Sequence, residues 1–245
     1  MLLLLVAACI MGCRKDKPTP APVATIAKIK SETNVATGQT YNYTYDNQGR
    51  ITRIDKPSGF YEAYTYTSAK LTWAEYSAAG EPQYRKYYEL NSEGLATKAT
   101  YDDPIYLTTY TYNSDKQLLK SINYENGLVI STEDYFYTNK QLDSVVNKSP
   151  NSLGYSTIAY EYYDNMESTL SKKNYGHLYL GEVTNKAVKK TSIITYTAAG
   201  VVYPNNSYTI SNVYEMDAQN RIVKTTSTVV RTTGTTTGST TYLYY

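Results

Sequence analysis

The chain has 245 residues, enough to bury a core as one or two domains, and carries 24 basic against 22 acidic side chains for a net charge of +2. That balance supplies no basic field for the phosphates of a nucleic acid and excludes one as an expected partner. Tyrosine is the outlier, with 30 Tyr against 2 Phe and 1 Trp. With abundant threonine, this composition favours pleated strands whose rings are buried while their hydroxyls stay near water.

The chain opens on a short apolar run, Leu2 to Met11, that ends at Gly12-Cys13. A bilayer needs roughly 20 apolar residues to be spanned, so the run is too short to cross one and fits the apolar region of a secretory signal. Ile10-Met11-Gly12-Cys13 resembles the lipobox of bacterial lipoproteins, and Val6-Ala7-Ala8-Cys9 matches the same pattern. Cys13 is preferred because the apolar run reaches it and charge begins right after it, at Arg14-Lys15-Asp16-Lys17. The resemblance implies a signal peptide over 1–12 and a lipid on Cys13. It also implies an outer-membrane location, with the folded part facing the periplasm or the cell surface beside the bilayer. A cleaved secretory signal with an incidental cysteine stands as the alternative. Residues 13–24 then form a tether, in which Lys17-Pro18-Thr19-Pro20-Ala21-Pro22 is extended and semi-rigid.

Residues 25–245 read as a repeat. Tyr43-Thr44-Tyr45-Asp46-Asn47-Gln48-Gly49-Arg50-Ile51 is strand, turn and strand. Asp46 bonds its own downstream backbone, Gly49 supplies a positive φ, and Ile51 restarts the apolar face. Worn copies follow at Tyr64-Thr65-Tyr66, Tyr88-Glu89-Leu90-Asn91, Tyr110-Thr111-Tyr112-Asn113, Tyr135-Phe136-Tyr137, Tyr160-Glu161-Tyr162 and Thr195-Tyr196. A nearer copy runs from Tyr214 to Ile222, with Met216 for the second Tyr and Asn220 for the Gly. Tyr242-Leu243-Tyr244 opens one more unit. The pattern resembles the YD repeat of RHS-type proteins, and with lipobox and tether it resembles a group of lipoproteins known only as a domain of unknown function. A stretch around Tyr175–Lys190 leaves the pattern and reads as a longer loop or insertion, on a face that in repeat proteins is often the binding one.

The fold class expected is all-β: a curved antiparallel meander of Tyr-rich β-hairpin repeats, forming an open or partly rolled sheet. Lys28, Lys30 and Glu32 at one end and Thr225–Thr241 at the other are expected to blunt its edges. The chemistry of an enzyme is thin. His177 is the only histidine; it cannot by itself build a zinc site, lacks a Gly-x-Ser-x-Gly partner, and reads as a solvated loop residue. Asp102-Asp103 and Glu133-Asp134 are the acids a polysaccharide hydrolase would use, but adjacent acids read first as turn formers. Asp46-Asn47-Gln48-Gly49 and Asn113-Ser114-Asp115 lack the spacing of a calcium loop.

No metal, cofactor or catalytic residue is therefore expected. The expected role is non-enzymatic: binding a glycan or protein partner on the Tyr-rich sheet, with Tyr43, Tyr45, Tyr64, Tyr66, Tyr110 and Tyr112 as candidates, or serving as a structural spacer. The positions between the tyrosines are Thr, Glu, Lys and Asn, which weighs against a membrane-inserted barrel.

Overall fold

The computed structural model describes residues 26–150, 154–181 and 184–245. The expected signal peptide, Cys9, Cys13 and the tether lie outside these residues. Among the described residues sixteen strands follow one another. They are β1 (Ile29–Asn34), β2 (Thr40–Tyr45), β3 (Ile51–Asp55), β4 (Tyr61–Tyr66), β5 (Lys70–Tyr76), β6 (Pro82–Leu90), β7 (Ala96–Tyr101) and β8 (Tyr106–Tyr112). The second half holds β9 (Leu118–Glu125), β10 (Leu128–Thr138), β11 (Gln141–Lys148), β12 (Gly154–Glu167), β13 (Lys186–Thr197), β14 (Tyr208–Met216), β15 (Ile222–Arg231) and β16 (Gly234–Tyr244).

Each strand pairs antiparallel with its chain neighbours, and β1 pairs with β16 from Ile29↔Tyr244 to Asn34↔Thr240, so the sheet is a closed barrel. This overturns the expected open or partly rolled meander. Lys28, Lys30, Glu32 and the Thr-rich stretch do not blunt two free edges, because the first and last strands satisfy each other's ladder groups. Closure removes the edges along that stretch, and residues 234–238 of β16 run on past β1.

The hairpin unit has a consistent anatomy. Each odd-numbered strand carries one deeply buried small or aliphatic residue at its first or second position: Ile29, Ile51, Leu71, Ala96, Leu118, Leu142, Ala187 and Ile222, none more than 4% exposed. These residues form an apolar ring near one end of the barrel. The turns leading into four of these strands are copies of each other. Asp46 Oδ1 accepts from the amides of Gln48 and Arg50, Asn91 Oδ1 from Glu93 and Leu95, Asn113 Oδ1 from Asp115 and Gln117, and Asp217 Oδ1 from Gln219 and Arg221. The left-handed residue falls on Gly49, Gly94, Lys116 and Asn220, where only Gly or a side chain that tolerates positive φ fits.

A bulge follows each of these turns, because the register shifts at Tyr45, Leu90, Tyr112 and Met216. The residue left unpaired, Thr52, Thr97, Leu119 or Val223, lets the ring residue and the one three places on (Ile54, Ala99, Ser121 or Thr225) both face inward. The second tyrosine faces inward beside the first by the pleat, and its hydroxyl reaches back to the carbonyl of the ring residue of the preceding strand. Tyr45 donates to Ile29 at 2.7 Å, Tyr112 to Ala96 at 2.8 Å, Tyr137 to Leu118 at 2.9 Å, Tyr162 to Leu142 at 2.6 Å and Tyr244 to Ile222 at 2.7 Å. This recurring bond is a physical reason for Tyr over Phe at these positions: the ring fills the barrel end while the hydroxyl pairs a carbonyl.

One connection differs. Between β12 and β13 the chain crosses the barrel at the ring end as a strap carrying a four-residue helix, α1 (Lys172–Tyr175), and a 3-10 turn, Leu178–Leu180. Ser171 and Asn174 cap α1 reciprocally, and Asn174 is buried with Nδ2 donating to the Ala27 carbonyl at 2.7 Å. The strap is tied around the ring. Lys28 Nζ donates to Lys173 O, the Ile222 amide donates to Thr169 Oγ1, and Thr184 Oγ1 bonds Gln141. Gly176 and Gly181 lie so close to the wall that a Cβ would sit 2.6 Å from the Ile51 nitrogen or 2.3 Å from the Lys116 oxygen. The expected insertion is therefore real, although β13 already begins at Lys186, and it faces inward.

Candidate functional site

The strap fixes which side of the sheet is the lumen. Tyr175 packs on Tyr43, His177 on Tyr64 and Tyr179 on Tyr88, with ring centroids 5.3, 5.6 and 5.0 Å apart. From these three inward residues the pleat and the register place Glu62, Trp73, Tyr84, Lys86, Tyr101, Thr108, Asn123 and Glu133 on the lumenal wall.

Above Tyr179 the wall encloses a cavity of about 410 Å³, lined by Glu62, Tyr64, Trp73, Lys86, Tyr88 and Tyr101 among others. The Glu62 carboxylate is its best-organised polar group. Tyr64 and the Trp73 indole donate to Oε2 at 2.7 and 2.8 Å, and Lys56 lies 3.0 Å from Oε1. Burial pushes the Glu62 carboxyl up, but these donors outweigh it and hold the group below the ordinary glutamate value. Lys56 is shared with Glu75, also at 3.0 Å. Lys86 lies against the faces of Tyr88 and Tyr101, with its ammonium 5.2 and 4.9 Å from their centroids.

The six tyrosines singled out from the sequence all face inward at the strapped end. Tyr43 and Tyr64 are 5% and 6% exposed. Tyr45 and Tyr112 spend their hydroxyls on the ring carbonyls, and Tyr110 stacks on Tyr88. The Tyr66 ring lies under the Arg50 guanidinium, and its hydroxyl is buried without a partner. These rings pack the barrel end and the strap. The residues facing open lumen (Trp73, Tyr84, Lys86 and Tyr101) were not singled out. Their signal was available in the alternation Tyr84, Lys86, Tyr88, which places a cation in phase with two rings.

His177 is not a solvated loop residue. Its ring is sandwiched by Tyr64 and Tyr179, its Nε2 is buried without a partner, and burial pulls its pKa down to about 4. Burial also lowers Lys172, next to it on the strap, to about 8. Of the acid pairs, Asp103 is a turn former that accepts from the Ile105 amide. Glu133 instead sits within β10, facing the lumen, where it accepts from Ser121 and Tyr135. Asp46 spends both carboxylate oxygens on Gln48, Arg50 and the Arg50 guanidinium.

The barrel superposes on the crystal structure of a porin-like protein from Bacteroides uniformis with a TM-score of 0.63, over 89% of this chain and 96% of that one, at 17% identity. The fold is porin-like. A complex of TcdB2, TccC3 and Cdc42 aligns at 13% identity and a TM-score of 0.27, over 81% of this chain and 15% of that one, too loosely to bear on the fold. No protein-family model and no curated protein matches the chain. A porin-like barrel is compatible with an outer-membrane setting, and its outer face is where membrane insertion would be written.

That face is charged. The outward positions carry the ion pairs Arg53–Asp55, Arg85–Asp102, Lys98–Glu89, Lys120–Asp134, Lys190–Glu161 and Lys224–Glu215. They are spread around the circumference, and threonines fill much of the space between them. A membrane-inserted barrel shows an apolar band about 25 Å tall, and a Lys or Arg at its midplane costs roughly 2–4 kcal/mol.

Proposed function

We propose that this chain is an exported lipoprotein of YD-like hairpin units, anchored to the outer membrane through Cys13. Its porin-like barrel stands in water and binds a ligand in its lumen without chemical turnover. The outer face carries this reading, because ion pairs distributed around the wall suit water and not lipid. The strap supports it as well: one end of the lumen is closed by the chain's own rings, which makes a cup instead of a channel. The rival reading as a polysaccharide hydrolase needs a carboxyl that holds a proton for the leaving group. Glu62, the best-placed acid, is held ionised by Tyr64, Trp73 and Lys56.

The test is metabolic labelling of the full-length chain with a clickable fatty acid, followed by fractionation. Label is expected on wild type and not on Cys13→Ser, and the Cys13→Ser protein is expected in the aqueous fraction without detergent. Label surviving Cys13→Ser, or a Cys13→Ser chain that stays in the membrane through alkaline carbonate washing, would overturn the proposal.

A further inference from the structure

We infer that the cup takes an extended neutral oligosaccharide, laid along a track of rings that descends the wall from the open rim toward the strap. This rests on the reading of the lumen as a water-filled binding cup and adds the class of ligand.

Four inward rings succeed one another across neighbouring strands. Tyr106 and Tyr101 have centroids 6.3 Å apart, Tyr101 and Tyr84 5.8 Å, and Tyr84 and Trp73 5.6 Å. Two cavities lie along them, of about 350 Å³ toward the rim and about 410 Å³ toward the strap, and both are lined by Tyr84 and Tyr101. Each is in the range of a small-ligand site, and together they favour a ligand longer than a single sugar ring. The track is open to water: Tyr106 is 37% and Tyr84 42% exposed. Such rings offer flat apolar faces to the C–H faces of a sugar, with phenolic hydroxyls at their edges.

Beside the rings runs a chain of uncharged polar groups. The Tyr101 hydroxyl donates to Thr108 Oγ1 at 3.0 Å, Thr108 donates to Asn123 Oδ1 at 2.7 Å, and Asn123 Nδ2 donates to Ser131 Oγ at 2.8 Å. Hydroxyls and an amide that both donate and accept match the hydroxyls of a sugar.

Charge decides for a neutral ligand. Where the track meets the deeper cavity the lumen holds two carboxylates, Glu62 and Glu75, and two ammonium groups, Lys56 and Lys86. At that depth a charged group of either sign would meet as much repulsion as attraction. Toward the rim Asp103 lines the outer cavity and Glu125 accepts from Tyr106, which turns anions away. A neutral ligand leaves the Glu62–Lys56–Glu75 cluster intact.

The experiment titrates the full-length protein by calorimetry, and by the fluorescence of Trp73, the sole tryptophan. The probes are neutral gluco-, xylo- and manno-oligosaccharides, from monosaccharide to hexasaccharide, with oligogalacturonate and chitosan oligomers as charged arms. At least one neutral series is expected to bind, more tightly with length, and to shift Trp73 emission. Tyr84→Ala and Tyr101→Ala are each expected to weaken it about tenfold, while Tyr84→Phe, which keeps the ring, stays within about threefold. Tyr61→Ala, on the outer face, is expected to change nothing. The inference is overturned if no neutral series binds, if a charged arm binds more tightly, if affinity ignores length, or if Tyr84→Ala and Tyr101→Ala bind as wild type while folded by circular dichroism. These readouts are separate from fatty-acid labelling and fractionation, so a lipidated, water-soluble barrel that binds no sugar fails this inference alone.

Discussion

A barrel whose interior is built from tyrosine should unfold in alkali, and the structure sets where. Burial raises the phenols of Tyr43, Tyr64, Tyr88 and Tyr179 well above the free value, with Glu32 adding at Tyr43 and Glu62 at Tyr64. In the unfolded chain the same phenols titrate near 10. The folded state therefore keeps protons that the unfolded state releases, and stability present below pH 10 is lost as pH rises above it. At pH 11 each such phenol shifts the balance by about 1.4 kcal/mol, so these four alone remove about 6 kcal/mol, a large part of the roughly 5–15 kcal/mol that holds a typical domain. Lys172 acts in the opposite sense at lower pH. Its folded value of about 8 lies below the unfolded 10.5, so losing its proton between pH 8 and 10.5 adds at most about 3 kcal/mol.

Stability should thus peak near pH 9–10 and then collapse over little more than one pH unit. Denaturant midpoints measured from pH 7 to 11, with phenolate absorbance at 295 nm and far-ultraviolet circular dichroism followed together, check this. Phenolate absorbance should lag that of free tyrosine and then jump as the β signal disappears, and Lys172→Met should abolish the rise below pH 10. All tyrosines titrating smoothly near pH 10 with the β signal intact would refute the reasoning.

Three further outcomes follow from the same geometry. Gly176→Ala should cost more than about 2 kcal/mol in denaturant unfolding, because its Cβ meets the Ile51 nitrogen at 2.6 Å; Gly94→Ala, with open space and a similar φ, should cost about 1 kcal/mol. Tyr112→Phe should cost about 1 kcal/mol by losing its bond to the Ala96 carbonyl, whereas Tyr66→Phe, which deletes a buried hydroxyl without a partner, should be neutral or stabilising. His177 is held neutral down to about pH 4 against 6.5 when unfolded, so acidification from 6.5 to 4 should remove roughly 3 kcal/mol. His177→Phe should flatten the pH dependence of thermal unfolding in that window.

The hairpin unit was legible in the sequence. Tyr43–Ile51 specifies its turn with Asp46 and Gly49 and its buried restart with Ile51, and Tyr214–Ile222 repeats the same bonds through Asp217 and Asn220. These are local interactions, within a few residues of chain, so composition and spacing suffice to declare them. The charged outward positions were legible too, since Thr, Glu and Lys alternate with the tyrosines whatever the sheet does at its ends.

Closure was not legible. The bond between the Tyr245 amide and the Lys28 carbonyl joins the two ends of the described chain, and whether they meet depends on how many hairpins there are and how far each turns the sheet. The bulges were hidden for a related reason: whether Thr52 is left unpaired, so that Ile51 and Ile54 share the buried face, depends on the register of the partner strand. His177 read as exposed because it lies in a stretch that leaves the strand pattern; its neighbour Tyr179 covers one side, but Tyr64, more than a hundred residues earlier, completes the burial. The candidate site divides along the same line. An excess of aromatic residues was readable, but period two alone cannot say which side of a sheet is inside. Only the strap, by filling one end of the lumen, separates the rings that pack the barrel from those left facing water.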